Sequence, residues 1–267
     1  MTSVLEQLVA MSNHLGDPAM DCAILGEGNT SARADAASFW VKSSGTELRT
    51  IDQRSFVRMS FESVLAMLAQ PALSDQEVKQ GLDGAKLDPS SGSRPAPADG
   101  LSPSIETMLH AICLSLDGVN FVGHIHPTAV NALTCSVNFE AAVSGRLFPD
   151  EIIVLGLAPV VIPYTDPGLP LAKAVRGLIH EHLDRYREVP KVVLMQNHGL
   201  IALGTTPREV ENITTMAVKW ARILAGTYAF GGPHFLTPAH VDRIHTRPDE
   251  DYRRQRIGMR HDGGQSV

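Results

Sequence analysis

The chain has 267 residues, 43% of them hydrophobic and 19% charged, with a formal net charge of -6. That length and apolar share suit one large domain or two small ones with a sizeable core, and the scattered basic residues argue against nucleic acid as the main partner. No apolar run approaches the length that spans a bilayer, and Cys22, Cys113 and Cys135 are too far apart for a disulfide framework or a CxxC site, so a reducing cytoplasm is the expected home.

The first stretch, MTSVLEQLVAMSNHLG, is amphipathic and carries Glu6. It reads as a helix over 3–15 rather than a signal peptide, with Val4, Leu5, Leu8, Val9 and Met11 largely on one side. GEGNTSAR (26–33) is turn chemistry, and ASFWVKSSGTEL is a strand that stops at Ser43-Ser44-Gly45. Helical spacing covers 60–69. The stretch 74–104 is rich in Ser, Pro, Gly and Asp, which predicts a mobile loop with room for a short strand or turn. Helical period resumes over 104–116, with Ser102 as N-cap and Pro103 as first helical position. NFVGHIHP is a strand and TAVNALTC starts a helix just after Pro127. EIIVLGLAPVVIPY (151–164) predicts one or two buried strands, and 170–187 a helix. KVVLMQNHGLIALG (191–204) predicts two strands hinged at Asn197-His198-Gly199. Thr206-Pro207-Arg208-Glu209 is a capping box with proline at the first helical position. The helix behind it turns Val210, Ile213, Ala217, Trp220 and Leu224 inward. After Gly231-Gly232 the chain is polar and proline-bearing. There is no internal repeat. The hinge favours antiparallel neighbours, so the expected fold is a single α/β/α domain over 1–232 with a central, mainly antiparallel or mixed sheet, and a tail over 233–267.

Side chains alternate faces along a strand, so His124 and His126 project together with Ile125 toward the core behind them. Two imidazoles at that spacing either chelate one divalent ion or are merely polar groups at a sheet edge. Candidates to complete a metal site are His198, aimed from a glycine-flanked turn, and Glu106, near the first turn of the preceding helix. Three histidines and a carboxylate suit catalytic zinc, and manganese or iron also fit. His180 and His182 lie two apart on a helix, point in different directions and are expected to be solvated. His110 shares a helix face with Glu106 and is either its supporting partner or a packed histidine.

Taken together, GEGNTS, KSSG, PSIET, HIHP and NHGLIALG stand in the order found in the class II aldolase/adducin family, which this chain resembles over roughly residues 3–230. That family includes L-fuculose-phosphate and rhamnulose-phosphate aldolases and ribulose-phosphate 4-epimerase. In motif form the chain is most similar to the aldolase part of rhamnulose-phosphate aldolase/lactaldehyde dehydrogenase proteins. No dehydrogenase half is expected, since GEGNTS lacks the third glycine of a dinucleotide fingerprint. The resemblance implies that His124, His126 and His198 are metal ligands and Glu106 the catalytic glutamate. It also implies phosphate-cradling turns at Gly28-Asn29 and Ser44-Gly45, plus Ser104. Adducin-like members, which are binding modules, lack such ligands.

The implied activity is metal-dependent cleavage of a ketose 1-phosphate into dihydroxyacetone phosphate and an aldehyde. Breaking a carbon–carbon bond beside a carbonyl leaves a carbanion, and a divalent ion on the carbonyl oxygen would hold its charge as an enediolate. Glu106 would take or return the proton. The same chemistry serves sugar-phosphate dehydratases, 4-epimerases and 3-oxo acid decarboxylases. The chain departs from the sugar-phosphate aldolases in having Ile105 where a second serine often precedes the glutamate, which leaves carboxylate open as the bound anion. It also has no tyrosine between His126 and Tyr164, leaving Tyr252 in the tail as the candidate to reach a neighbouring site. The resemblance implies a homotetramer with active sites at subunit junctions.

Overall fold

The computed structural model describes residues 2–92 and 100–259. Ser3 and Glu6 form a reciprocal capping box that starts α1 (Val4–Leu15). There follow β1 (Asn29–Arg33), β2 (Ser38–Lys42), β3 (Phe56–Ser60), α2 (Phe61–Ala66), α3 (Asp75–Gly84), β4 (Lys86–Leu87) and α4 (Thr107–Leu114). The second half runs β5 (Phe121–Ile125), α5 (Thr128–Thr134), α6 (Phe139–Ala142), α7 (Pro149–Leu155), β6 (Val160–Ile162), α8 (Leu169–Tyr186), β7 (Val192–Met195), β8 (Gly199–Gly204) and α9 (Pro207–Thr227). In the tail, α10 (Pro238–His245) and α11 (Pro248–Arg256) both pack on α7.

The described strands form one eight-stranded sheet in the order β4-β3-β2-β1-β5-β8-β7-β6. The ladders are antiparallel except β6 with β7. Helices cover both faces, as α/β/α layering expects. On one face Leu8, Met11 and Leu15 of α1 and Ile213, Ala217 and Trp220 of α9 share a core with Ile125. On the other, Phe39, Val41 and Met59 of the sheet meet Met108 and Leu109 of α4 and Val175 and Ile179 of α8. Each Leu, Ile, Val, Phe or Met among them taken fully out of water contributes roughly 1.5–3 kcal/mol. Asn29 pairs directly with His124, and His124 with Ile201, so the middle of the sheet carries the polar residues of interest.

Several expectations need correction. NTSAR is the central strand β1 and not part of a turn. Its polar residues are buried and hydrogen-bonded, as Ser12 Oγ to Thr30 Oγ1 at 2.6 Å illustrates. Loop-like composition within 74–104 conceals α3, which opens on a reciprocal Ser74/Glu77 capping box. Residues 93–99 of that stretch lie outside the described residues, as do tail residues 260–267. The next helix starts at Thr107 instead of Pro103, because Ser44 N–H donates to Ser102 O and Pro103 bridges to Ser43. Residues 151–155 are helical: Pro149 at the first turn, with Asp150 and Glu151, initiates α7, and Gly156 at φ 78° ends it. Thr206 caps α9, but Glu209 does not reach back to it; its carboxylate accepts from Thr205 N–H and Lys191. His182 is buried against Tyr186 instead of solvated, since pointing away from His180 turns it into the core.

Candidate metal centre

β5 delivers His124 and His126 from the middle of the sheet. Gly28, at φ 69°, lets the start of β1 press against that strand: a Cβ there would lie 2.8 Å from the His124 carbonyl oxygen. His198 comes from the β7–β8 turn. Asn197 takes the left-handed conformation at φ 55°, which asparagine tolerates, and donates its N–H to Thr134 O. Asn131 of α5 donates to His198 O at 3.1 Å, so the turn is fastened to the helix beneath it.

The three imidazoles converge, each offering a ligand atom within 4.8 Å of the others. Glu106, at the N-cap of α4, brings Oε1 to 3.0 Å from His198 Nε2 and Oε2 to 3.4 Å from His124 Nε2. The outer ring nitrogens decide the tautomers. His124 Nδ1 faces Leu200 O at 3.1 Å, and His126 Nδ1 faces a Glu27 carboxylate oxygen at 3.2 Å. Both partners only accept, so both Nδ1 atoms carry hydrogen. The neutral rings therefore turn Nε2 lone pairs toward each other at 3.2 Å. Two lone pairs at that range repel unless a positive charge lies between them, so the donor set fits a divalent cation. A hydrogen-bonded outer nitrogen is the usual support of a metal-ligating histidine.

The electrostatics agree. Burial alone would raise the Glu106 carboxyl, but the His124 charge and hydrogen bonds with His124 and His198 hold it well below the usual carboxylate range. Burial disfavours a charged His124, yet Glu106 beside it raises its pKa above the ordinary value. Burial and His124 together push His126 down to about 4. The pocket thus favours one positive charge next to Glu106, a place that a proton or a metal ion can fill.

The other candidate residues divide between two places. Asn29 Nδ2 donates to Glu106 Oε2 at 2.7 Å, and Ser104 Oγ accepts from Glu106 N–H at 3.3 Å. Both are therefore partners of Glu106. Ser44 and Gly45 stand exposed on the neighbouring turn. Ser44 borders a cleft of about 350 Å³ with Lys79, Pro103 and Ile105.

Sequence reasoning missed Glu27, whose carboxylate supports His126, and Lys42. The Lys42 ammonium is buried, donates to Gly26 O at 3.2 Å and lies within electrostatic reach of Glu106. Burial lowers its pKa and Glu106 raises it. Each is the charged residue inside a motif, GEGN or KSSG, and a charge within such a glycine-bearing turn was the available signal.

A family model for the class II aldolase and adducin N-terminal domain matches residues 6–225. An uncharacterized oxidoreductase of Bacillus subtilis, YuxG, is 28% identical over 210 residues, covering 76% of this chain and 27% of the relative. A methylthioribulose-1-phosphate dehydratase of Leptospira borgpetersenii is 24% identical over 184 residues, 66% of this chain and 64% of the relative. The chain therefore spans less than two thirds of either relative. A solved L-fuculose 1-phosphate aldolase superposes with a TM-score of 0.66 at 18% identity, over 95% of this chain and 98% of that one, a likeness of fold.

Proposed function

The chain belongs to the class II aldolase and adducin family, and from that premise we propose that it is a divalent-metal-dependent aldolase, most simply with zinc. It cleaves a ketose 1-phosphate into dihydroxyacetone phosphate and an aldehyde. The observation that carries the reading is Glu106, held 3.0 Å and 3.4 Å from two of the three clustered imidazoles. A non-enzymatic module has no use for a part-buried carboxylate so placed.

A divalent cation held by His124, His126 and His198 supplies an electrophile for the substrate carbonyl oxygen. In cleavage the hydroxyl that becomes the aldehyde oxygen gives up its proton as the carbon–carbon bond breaks, and the carbon beside the ketone carbonyl gains one. Glu106 accepts the first and delivers the second, and runs the two transfers backward in the reverse direction. Its low pKa keeps it ionised, ready to accept. Asn29 orients the carboxylate through the 2.7 Å bond. Ser44 and Gly45, with Gly28, Asn29 and Ser104 behind them, bind the anionic end of the substrate, where turn N–H groups favour negative charge. Neutral imidazoles as the ligands leave the cation its full charge.

A second reading keeps these residues and exchanges bond cleavage for loss of water from a ketose 1-phosphate. The dehydratase relative supports it. Elemental analysis after gentle purification, followed by a panel of ketose phosphates and oxo acids, separates the two by product. Near-stoichiometric metal and dihydroxyacetone phosphate release are expected, with Glu106→Gln losing cleavage while still binding metal. A dehydrated ketose as sole product would replace the first reading with the second. Trace metal and no turnover would remove both.

A further inference from the structure

We propose that His110 is a positioning residue that locks the Asn29 amide so that its NH2 group meets Glu106. The inference deepens the site reading above, and rests on it only for its kinetic consequence.

Each hydrogen bond in this chain has a forced direction. Ionised Glu106 only accepts, so Asn29 Nδ2, at 2.7 Å from Oε2, is the donor. That turns Asn29 Oδ1 toward His110 Nε2, with which it makes a short hydrogen bond. Oδ1 only accepts, so Nε2 carries the hydrogen. His110 is 1% exposed and neutral, with burial pushing its pKa down to about 3. Its single N–H is thus committed, and Nδ1 accepts from Ser31 Oγ at 2.6 Å. The donors run one way: Ser31 to His110 to Asn29 to Glu106.

The chain fits because two periodicities match. Asn29 and Ser31 are alternate residues on one face of β1, about 6.6 Å apart along the strand. Glu106 and His110 are four residues apart along the helical stretch at the start of α4, where four residues rise about 6.0 Å. Strand and helix therefore present their pairs in register, and each helix residue meets the amide of Asn29 from its own side. Without His110, Asn29 Oδ1 is buried and unpaired, which disfavours this placement of the amide. The amide is then free to turn about its last torsion, and Ser104 Oγ, 3.5 Å from Nδ2, competes for it.

The test compares wild type, His110→Leu and His110→Gln as zinc-loaded, 15N-labelled protein. Glutamine can donate to Asn29 and accept from Ser31, whereas leucine can do neither. Wild type is expected to show the Nε2–H tautomer at His110 and an Asn29 side-chain N–H shifted downfield by Glu106. Leucine should abolish that shift and glutamine restore it. With the substrate found in the panel, leucine should lower kcat about 10–100-fold with KM unchanged, the size usual for loss of an outer support of an active-site group. Glutamine should recover most of kcat. If the leucine variant does not fold, Ser31→Ala weakens the same chain from its far end, and the Asn29 signal should move toward that of free amide. An Nδ1–H tautomer in wild type, or equal impairment by leucine and glutamine, overturns the proposal. A panel without turnover rejects the aldolase and dehydratase readings but leaves the tautomer and amide signals to decide this one.

Discussion

Glu27 accepts from Ile24 N–H with one carboxylate oxygen and faces His126 Nδ1 with the other. It therefore fixes which nitrogen of His126 is left for a ligand. Glu27→Gln should weaken metal affinity about 10–100-fold, measured by competition with a chelator of known affinity. Unchanged affinity would reduce Glu27 to a loop brace. At this scale the meeting of the three histidines was legible in sequence, because alternation along β5 and the glycine-flanked turn limit where their side chains can go, and Glu106 was placed near them by its position at the start of the preceding helix. Glu27 was not, since its reach to His126 depends on how the 21–28 loop folds over the strand end. His182 was misread because a helical angle says only that it turns away from His180, not that it turns toward the core.

Elements position these groups through close contacts that leave no slack. A Cβ on Gly199, at the head of β8, would fall 2.6 Å from His126 Cδ2 and 2.7 Å from Ile125 O. Gly199→Ala is expected to displace the His126 ring, lowering metal occupancy by elemental analysis while far-UV circular dichroism stays near wild type. Retained occupancy would mean that the β7–β8 turn yields. Thr206, whose hydroxyl caps α9 by accepting from Glu209 N–H at 3.2 Å, gives a control far from the ligands. Thr206→Ala should lower stability by about 1 kcal/mol in urea unfolding and leave metal affinity alone. The elements with clear amphipathic period, α1, α8 and α9, were readable, whereas α3 was not, its Ser74/Glu77 capping box being masked by loop-like composition. β1 was not, because a strand that lines a polar site lacks the apolar alternation by which strands are recognised. Nor was α7, where Ile152, Ile153, Val154 and Leu155 form an apolar run too short for period to separate helix from strand.

At the scale of the whole molecule, a buried histidine outside the site adds to the acid sensitivity of His110 and His126, which burial also holds low. His182 is held at about 4, burial opposing its charge more than Glu188 favours it, against an ordinary histidine value of 6.5. Below that ordinary value the unfolded chain takes up a proton that the folded chain refuses. Stability from this group is therefore complete above about 6.5 and is lost as pH falls toward 4. Metal-free protein should melt several degrees lower at pH 5 than at pH 7, and His182→Gln should narrow the gap; an equal gap in the variant would assign the acid sensitivity elsewhere.

The fold class was legible from the NHG hinge, whose antiparallel implication extends across nearly the whole sheet. The order of the strands was not, because it depends on contacts between segments far apart in sequence. β5 lies at the centre of that order. Ile125 sinks into the α1/α9 core while His124 opens to Glu106 on the reverse side. Losing or gaining one residue within this strand would exchange those two, burying an imidazole among aliphatics and turning an isoleucine toward Glu106. Change of length is thus closed to this segment, and its drift over time is confined to swaps of side chain.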